Sequence, residues 1–172
     1  RYEEALRVDS SKPQAHMKIG DVYFAQKRYR EALASYEKAN QINPQLAPVH
    51  FKMGKVYFEE QKFDEAEARF REALRLNPQQ STARLALGDV CLEKGQLDKA
   101  LAEYESALRW DPNFVGAYVK IGDFYEKQKR YDEAVKAYDC ALALKQDSAM
   151  AHYGLGNVYF EQEEYAKALQ KY

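Results

Sequence analysis

Residues 47–80 read APVHFKMGKVYFEEQKFDEAEARFREALRLNPQQ, and the same residue types return when the chain is written in blocks of 34 starting at Pro13, Ala47, Ser81, Val115 and Ala149. No insertion is needed to keep the register. One column is Gly20, Gly54, Gly88, Gly122, Gly156; a second is Ala32, Ala66, Ala100, Ala134, Ala168; a third is Ala39, Ala73, Ala107, Ala141. Aromatic columns stand beside these small residues. They are Tyr23, Tyr57, Tyr125, Tyr159, interrupted by Cys91; Tyr29, Phe63, Tyr131, Tyr165, interrupted by Leu97; and Tyr36, Phe70, Tyr104, Tyr138, Tyr172.

The columns predict two helices per block. Met53, Gly54 and Tyr57 keep the three-and-four spacing of one helix face, as do Ala66, Phe70, Ala73 and Leu74 further on. A glycine inside a helix costs about 1 kcal/mol against alanine, so its return in every block implies that another helix must come close there. Polar turns such as Gln26-Lys27-Arg28 and Lys94-Gly95-Gln96 are short enough only for an antiparallel hairpin. Asn43-Pro44, Asn77-Pro78 and Asp111-Pro112 stop the second helix, because proline breaks the hydrogen-bond ladder and disfavours helical geometry in the residue before it.

The fold class expected is all-α, a solenoid of antiparallel helix-turn-helix repeats. Residues 13–46, 47–80, 81–114 and 115–148 are complete repeats, 149–172 is a partial fifth, and 1–12 is the end of a preceding repeat's second helix, all in one domain. Both ends fall inside a hairpin and lack a polar capping helix, so the sequence is expected to be a fragment of a longer protein. Ser10 and Gln146 stand where the closing proline would be, which predicts a less sharp bend around Gln146.

Charge and composition narrow the function. With 26 basic and 27 acidic side chains the formal net charge is -1, so no surplus of charge is available for a nucleic acid or an anionic membrane. No apolar run approaches a membrane span, and the opening RYEEALRVDS lacks the apolar core of a secretory signal. Cys91 and Cys140 are distant from each other and outside any C-x-x-C pairing, which fits an intracellular, cytoplasmic setting. No Ser/His/Asp set, carboxylate pair or phosphate loop points to an enzyme, and no cofactor is implied. His16, His50 and His152 share a column, but equivalent positions in stacked repeats are spread apart, so a structural role outweighs metal ligation. Trp110, in the column of Ile42, Leu76 and Leu144, is expected to pack into the core, alongside Phe114. The basic turn residues Lys27, Arg28, Arg30, Lys129 and Arg130 read as solvated and too scattered for a nucleic-acid track.

The 34-residue period, the Gly-x-x-Tyr of the first helix, the Ala and aromatic columns of the second and the closing proline resemble the tetratricopeptide repeat family over essentially the whole chain. The family's frequent early tryptophan is replaced by His16, His50, Arg84, Tyr118 and His152. The resemblance implies a right-handed superhelix whose concave face is lined by the first helices, and a partner protein bound there as a peptide or helix. Two apolar columns should face that groove: Met17, Phe51, Leu85, Val119, Tyr153, and Phe24, Phe58, Leu92, Phe160, with Glu126 between the last two. Charged columns run beside them. Lys18, Lys52 and Lys120 form one, Asp21, Lys55, Asp89, Asp123 and Asn157 the other. A plainer reading makes Lys18 with Asp21, and Lys120 with Asp123, ordinary i,i+3 ion pairs.

The resemblance also permits an exclusion. The carboxylate clamp by which some members hold a chaperone tail is absent, its positions being Met17, Asp21, Lys52, Thr82 and Ala86. The asparagine ladder of the superhelix joined to nucleocytoplasmic sugar transferases is absent too, with Lys18, Lys52, Ala86, Lys120 and Gly154 in its column. The leading expectation is a protein-binding scaffold or adaptor. The alternatives are a targeting arm of a larger enzyme and an architectural solenoid that self-associates through uncapped ends.

Overall fold

The computed structural model describes residues 12–172; the expected tail of a preceding helix at 1–12 lies, but for Lys12, outside them. Among the described residues ten α-helices follow one another: α1 Pro13–Ala25, α2 Tyr29–Ile42, α3 Ala47–Glu59, α4 Phe63–Leu76, α5 Ser81–Glu93, α6 Leu97–Trp110, α7 Val115–Lys127, α8 Tyr131–Leu144, α9 Ala149–Glu161 and α10 Tyr165–Lys171. Every complete block holds one helix of 13 residues and one of 14. None of the described helices is long and apolar enough to cross a membrane. The chain divides into two compact units, one ending at Gln96 and the other beginning at Leu97.

In the first unit the core has two centres. Ala32, Tyr36 and Ala39 of α2 pack with Val49, Met53 and Val56 of α3. Ala66 and Phe70 of α4 pack with Leu87 and Val90 of α5. In the second unit Ala134, Tyr138 and Ala141 of α8 meet Val119 of α7 and Ala151, Leu155 and Val158 of α9. The pattern is the same each time: small and aromatic residues of a second helix are covered by the first helix of the following repeat, which supplies the hydrophobic gain of about 1.5–3 kcal/mol per large side chain.

The glycine column makes the hairpins possible. A Cβ added at Gly54 would lie 2.6 Å from Cδ1 and Cε1 of the Phe70 ring, and the rings of Tyr36, Tyr138 and Tyr172 lie in the same way on Gly20, Gly122 and Gly156. The ring occupies the volume that any side chain would take.

Each hairpin turn repeats one hydrogen-bond arrangement. The amide of Lys27 donates to Phe24 O at 2.9 Å and that of Arg28 to Tyr23 O at 2.9 Å, and the equivalent pairs close α3, α5, α7 and α9. This is the Schellman helix end, which needs a left-handed residue. Lys27, Gln61, Lys129 and Glu163 take φ of 57°, 58°, 59° and 62° there, and only Gly95, at 71°, is a glycine. The basic residues at these turns are exposed, as expected, and two of them also make surface contacts: Arg28 and Arg130 lie 4.5 Å over the rings of Tyr23 and Tyr125 and pair with Glu31 and Glu133.

The linkers between repeats carry a second repeated device. Oδ1 of Asn43, Asn77 and Asp111 accepts the amide two residues on, at 3.0, 3.3 and 3.1 Å. The histidine column then crosses the linker from the other side, with His50 Nε2 3.0 Å from Pro44 O and His152 Nε2 3.0 Å from Gln146 O; Arg84 donates to Pro78 O at 3.0 Å. These side chains bind linker carbonyls that lie beyond the helix end and have no helical donor. The softer bend expected at Gln146 does not appear, since Lys145 has φ -141° and ψ 94° against -143° and 98° at Asn43. A backbone held by the flanking helices reaches the same conformation without the proline.

Trp110 departs from its expected core position and is 47% exposed, and Ile42 and Leu144 of the same column are exposed as well. At about 100° per residue this position lies a quarter-turn away from the Ala-aromatic-Ala stripe that faces the neighbours.

Two stability outcomes follow. Gly54→Ala lowers the free energy of unfolding by about 1–3 kcal/mol in urea, because overpacking against the Phe70 ring outweighs the better helix propensity of alanine. Lys129→Gly raises it by roughly 0.5–1 kcal/mol by removing left-handed strain, and Gly95→Ala lowers it by a similar amount; a loss of stability in Lys129→Gly, or a gain in Gly95→Ala, would contradict the turn assignment.

Candidate functional site

The first helices of the first unit, α1, α3 and α5, bring part of the expected surface together. Phe51 stands beside the Phe70 ring, centroids 5.7 Å apart, and Phe58 meets Phe63 edge-on at 5.7 Å. Between them and Leu85, Ala86, Thr82 and Asp89 opens a hollow of about 290 Å³, whose lining also takes in Lys55 and Glu59. A second hollow of about 250 Å³ adjoins it, lined by Asp21, Phe24, Tyr36, Phe51, Lys52 and Lys55. Phe51 and Lys55 belong to both. Eight of the expected groove residues, Asp21, Phe24, Phe51, Lys52, Lys55, Phe58, Leu85 and Asp89, therefore line one pair of neighbouring hollows.

The rest do not join this pair. Lys18 is exposed, Leu92 is half-buried, and Met17 packs against the core formed by α2 and α3. Val119 is 4% exposed and belongs to the core of the second unit, so its place on an open groove face is corrected. Its short branched side chain ends among α8 and α9, whereas Tyr153, in the same column, is 62% exposed. Also in the second unit, Phe160 is exposed against Tyr165, Asn157 Oδ1 accepts the Tyr172 hydroxyl at 2.9 Å, and Lys120 is half-buried.

The Asp21 charge is arranged otherwise than in a simple helical pair. Asp21 Oδ1 meets Lys52 Nζ of the next repeat at 2.6 Å and accepts the Tyr36 hydroxyl at 2.9 Å. The plainer pairing with Lys18 is thus replaced by a bridge across repeats. In the second unit the Tyr138 hydroxyl lies 2.8 Å from both Asp123 and Glu126 and donates to one at a time. Burial, and then these carboxylates, push Tyr36 and Tyr138 far above the ordinary phenol range, so both remain protonated donors. Lys55 is held differently, its ammonium 4.9 Å over the Phe24 ring.

This tyrosine-to-acceptor contact is the feature that the columns alone did not reveal. Its signal was present: the aromatic column from Tyr36 to Tyr172 and the polar column from Asp21 to Asn157 change together, Phe70 being the ring without a hydroxyl and Lys55 the position without an acceptor. Among the described residues no group of three or more His, Cys, Asp and Glu side chains is placed to hold a metal ion.

Comparison with known proteins bears on what this arrangement is. Models described as tetratricopeptide repeat match residues 51–113 and 103–136, and one described as TPR repeat matches 20–61 and 122–163. No curated protein sequence matches the chain. Among solved structures, YrrB, described as a TPR protein with an unusual peptide-binding site, shares 23% identity over 99% of this chain and 88% of its own, with a TM-score of 0.68. TTC0263, a thermophilic TPR protein of Thermus thermophilus, shares 21% identity over 92% of this chain and 87% of its own, with a TM-score of 0.80. PilF of Pseudomonas aeruginosa shares 24% over 99% of this chain and 78% of its own, also at 0.80. Such identities show a common fold. With matches that run from residue 20 to residue 163 and helices that keep the repeat's register throughout, the chain belongs to the tetratricopeptide repeat family.

Proposed function

We propose that the protein is a non-catalytic interaction scaffold that binds a segment of a partner protein in the groove of its first unit. The observation carrying this reading is the pair of adjoining hollows, apolar at Phe51, Phe58 and Leu85 and edged by Lys52, Lys55 and Asp89. Apolar anchors set in a polar rim suit a peptide or helix of a partner. YrrB, similar in fold, is described as having a peptide-binding site, which favours the same class of ligand here. Cys91 and Cys140 are not joined in a disulfide, in keeping with an intracellular setting.

Phe51→Ala, Phe58→Ala, Leu85→Ala combined in one protein is expected to keep its helical circular dichroism while releasing a partner that the parent retains in a pull-down; equal retention by both would sink the groove reading.

A further inference from the structure

Two columns break together in the second repeat, and they break at the larger hollow. The ring column is Tyr36, Phe70, Tyr104, Tyr138, Tyr172, and the column it faces within each repeat is Asp21, Lys55, Asp89, Asp123, Asn157. Tyr36, Tyr138 and Tyr172 donate to Asp21, Asp123 and Asn157 at 2.9, 2.8 and 2.9 Å. Such an acceptor is needed because a buried hydroxyl without one is costly. Phe70 has no hydroxyl, so the position opposite it is released from that duty, and a lysine stands there. The same substitution leaves an apolar ring edge where the other repeats have a polar one, and Phe70 lines the hollow.

The groove reading supplies the frame on which the next step rests. We propose that this hollow is the selective pocket of the groove, and that its occupant is a partner segment carrying one bulky apolar side chain with an aspartate or glutamate next to it. Its volume of about 290 Å³ compares with roughly 150 Å³ for an apolar cavity that takes a benzene ring, so an aromatic or branched aliphatic side chain fits with room for its backbone. Phe51, Phe58, Phe70 and Leu85 present carbon to it.

Charge gives the pocket its direction. Lys55 borders both hollows, while Lys52 is already paired with Asp21. Glu59 and Asp89 border the larger hollow as well. A carboxylate on the segment is attracted toward Lys55, so an acid next to the anchor that reaches this ammonium is selected over a base at the same place.

The test is selection from a random-peptide phage library on the immobilised whole protein, followed by fluorescence anisotropy with the enriched peptides made synthetically. Enriched peptides are expected to share a bulky apolar residue beside Asp or Glu. Replacing that acid by lysine should weaken binding to the parent by roughly tenfold and strengthen binding to Lys55→Glu, a reversal that damage to the fold cannot produce. Peptides that bind the parent and Lys55→Glu equally, yet are lost by the Phe51, Phe58, Leu85 alanine variant, would overturn the pocket and leave the groove standing. Peptides indifferent to both variants, or no enrichment at all, would overturn the groove reading together with the pocket.

Discussion

An aromatic ring packed directly against a helical glycine is the contact on which the repeats of this chain depend. Gly20, Gly54, Gly122 and Gly156 each face the ring of Tyr36, Phe70, Tyr138 or Tyr172 from the second helix of the same repeat. Alanine would be the better helix former, but a methyl group would occupy the ring's volume. The helices can therefore approach only where glycine stands, and the ring becomes a wedge of fixed position. Tyr138 shows how tightly this is set, since its ring also fills the space beside Gly154 in the following repeat.

Once the ring is placed, its far edge must be satisfied. A tyrosine hydroxyl brought into a partly buried position needs an acceptor, and the first helix supplies Asp21, Asp123 or Asn157. Asp21 then carries a charge of its own, which Lys52 of the next repeat meets. A packing contact within one repeat thus leads to an ion pair between two. Another charge group in the first unit joins neighbouring repeats in a similar way: Lys94 reaches Asp64 at 2.7 Å and Glu67 at 2.5 Å, and hydrogen bonds to these two carboxylates push the Lys94 ammonium up to about 12. Phe70 interrupts the tyrosine sequence, and with no hydroxyl to satisfy, the surface near it is free to be apolar and to carry a cation instead of an acceptor.

The turns and linkers depend less on such long-range contacts. Asn-Pro and Asp-Pro sequences stop a helix through the geometry of proline and through an Asx side chain that accepts a nearby amide. The left-handed residue of each hairpin turn is glycine only at Gly95, so helix packing imposes the conformation even on Lys27, Gln61, Lys129 and Glu163. The linker at Gln146 makes the same point without a proline.

The helices, their ends, the pairing of small with aromatic residues and the family were legible in the sequence, because a repeat presents the same local physics several times and chance agreement is averaged away. The columns also named the side chains around the hollows of the first unit. Which member of a column is open was decided only by tertiary packing. Val119 is covered because residues of α8 and of α9 in the following repeat close over it. The partner of Asp21 was likewise decided in three dimensions. Lys18 is nearer in sequence, but the packed repeats bring Lys52 to 2.6 Å. Local periodicity sets the direction in which a side chain leaves its helix; what it then meets belongs to another helix, and only the folded chain brings that helix into place.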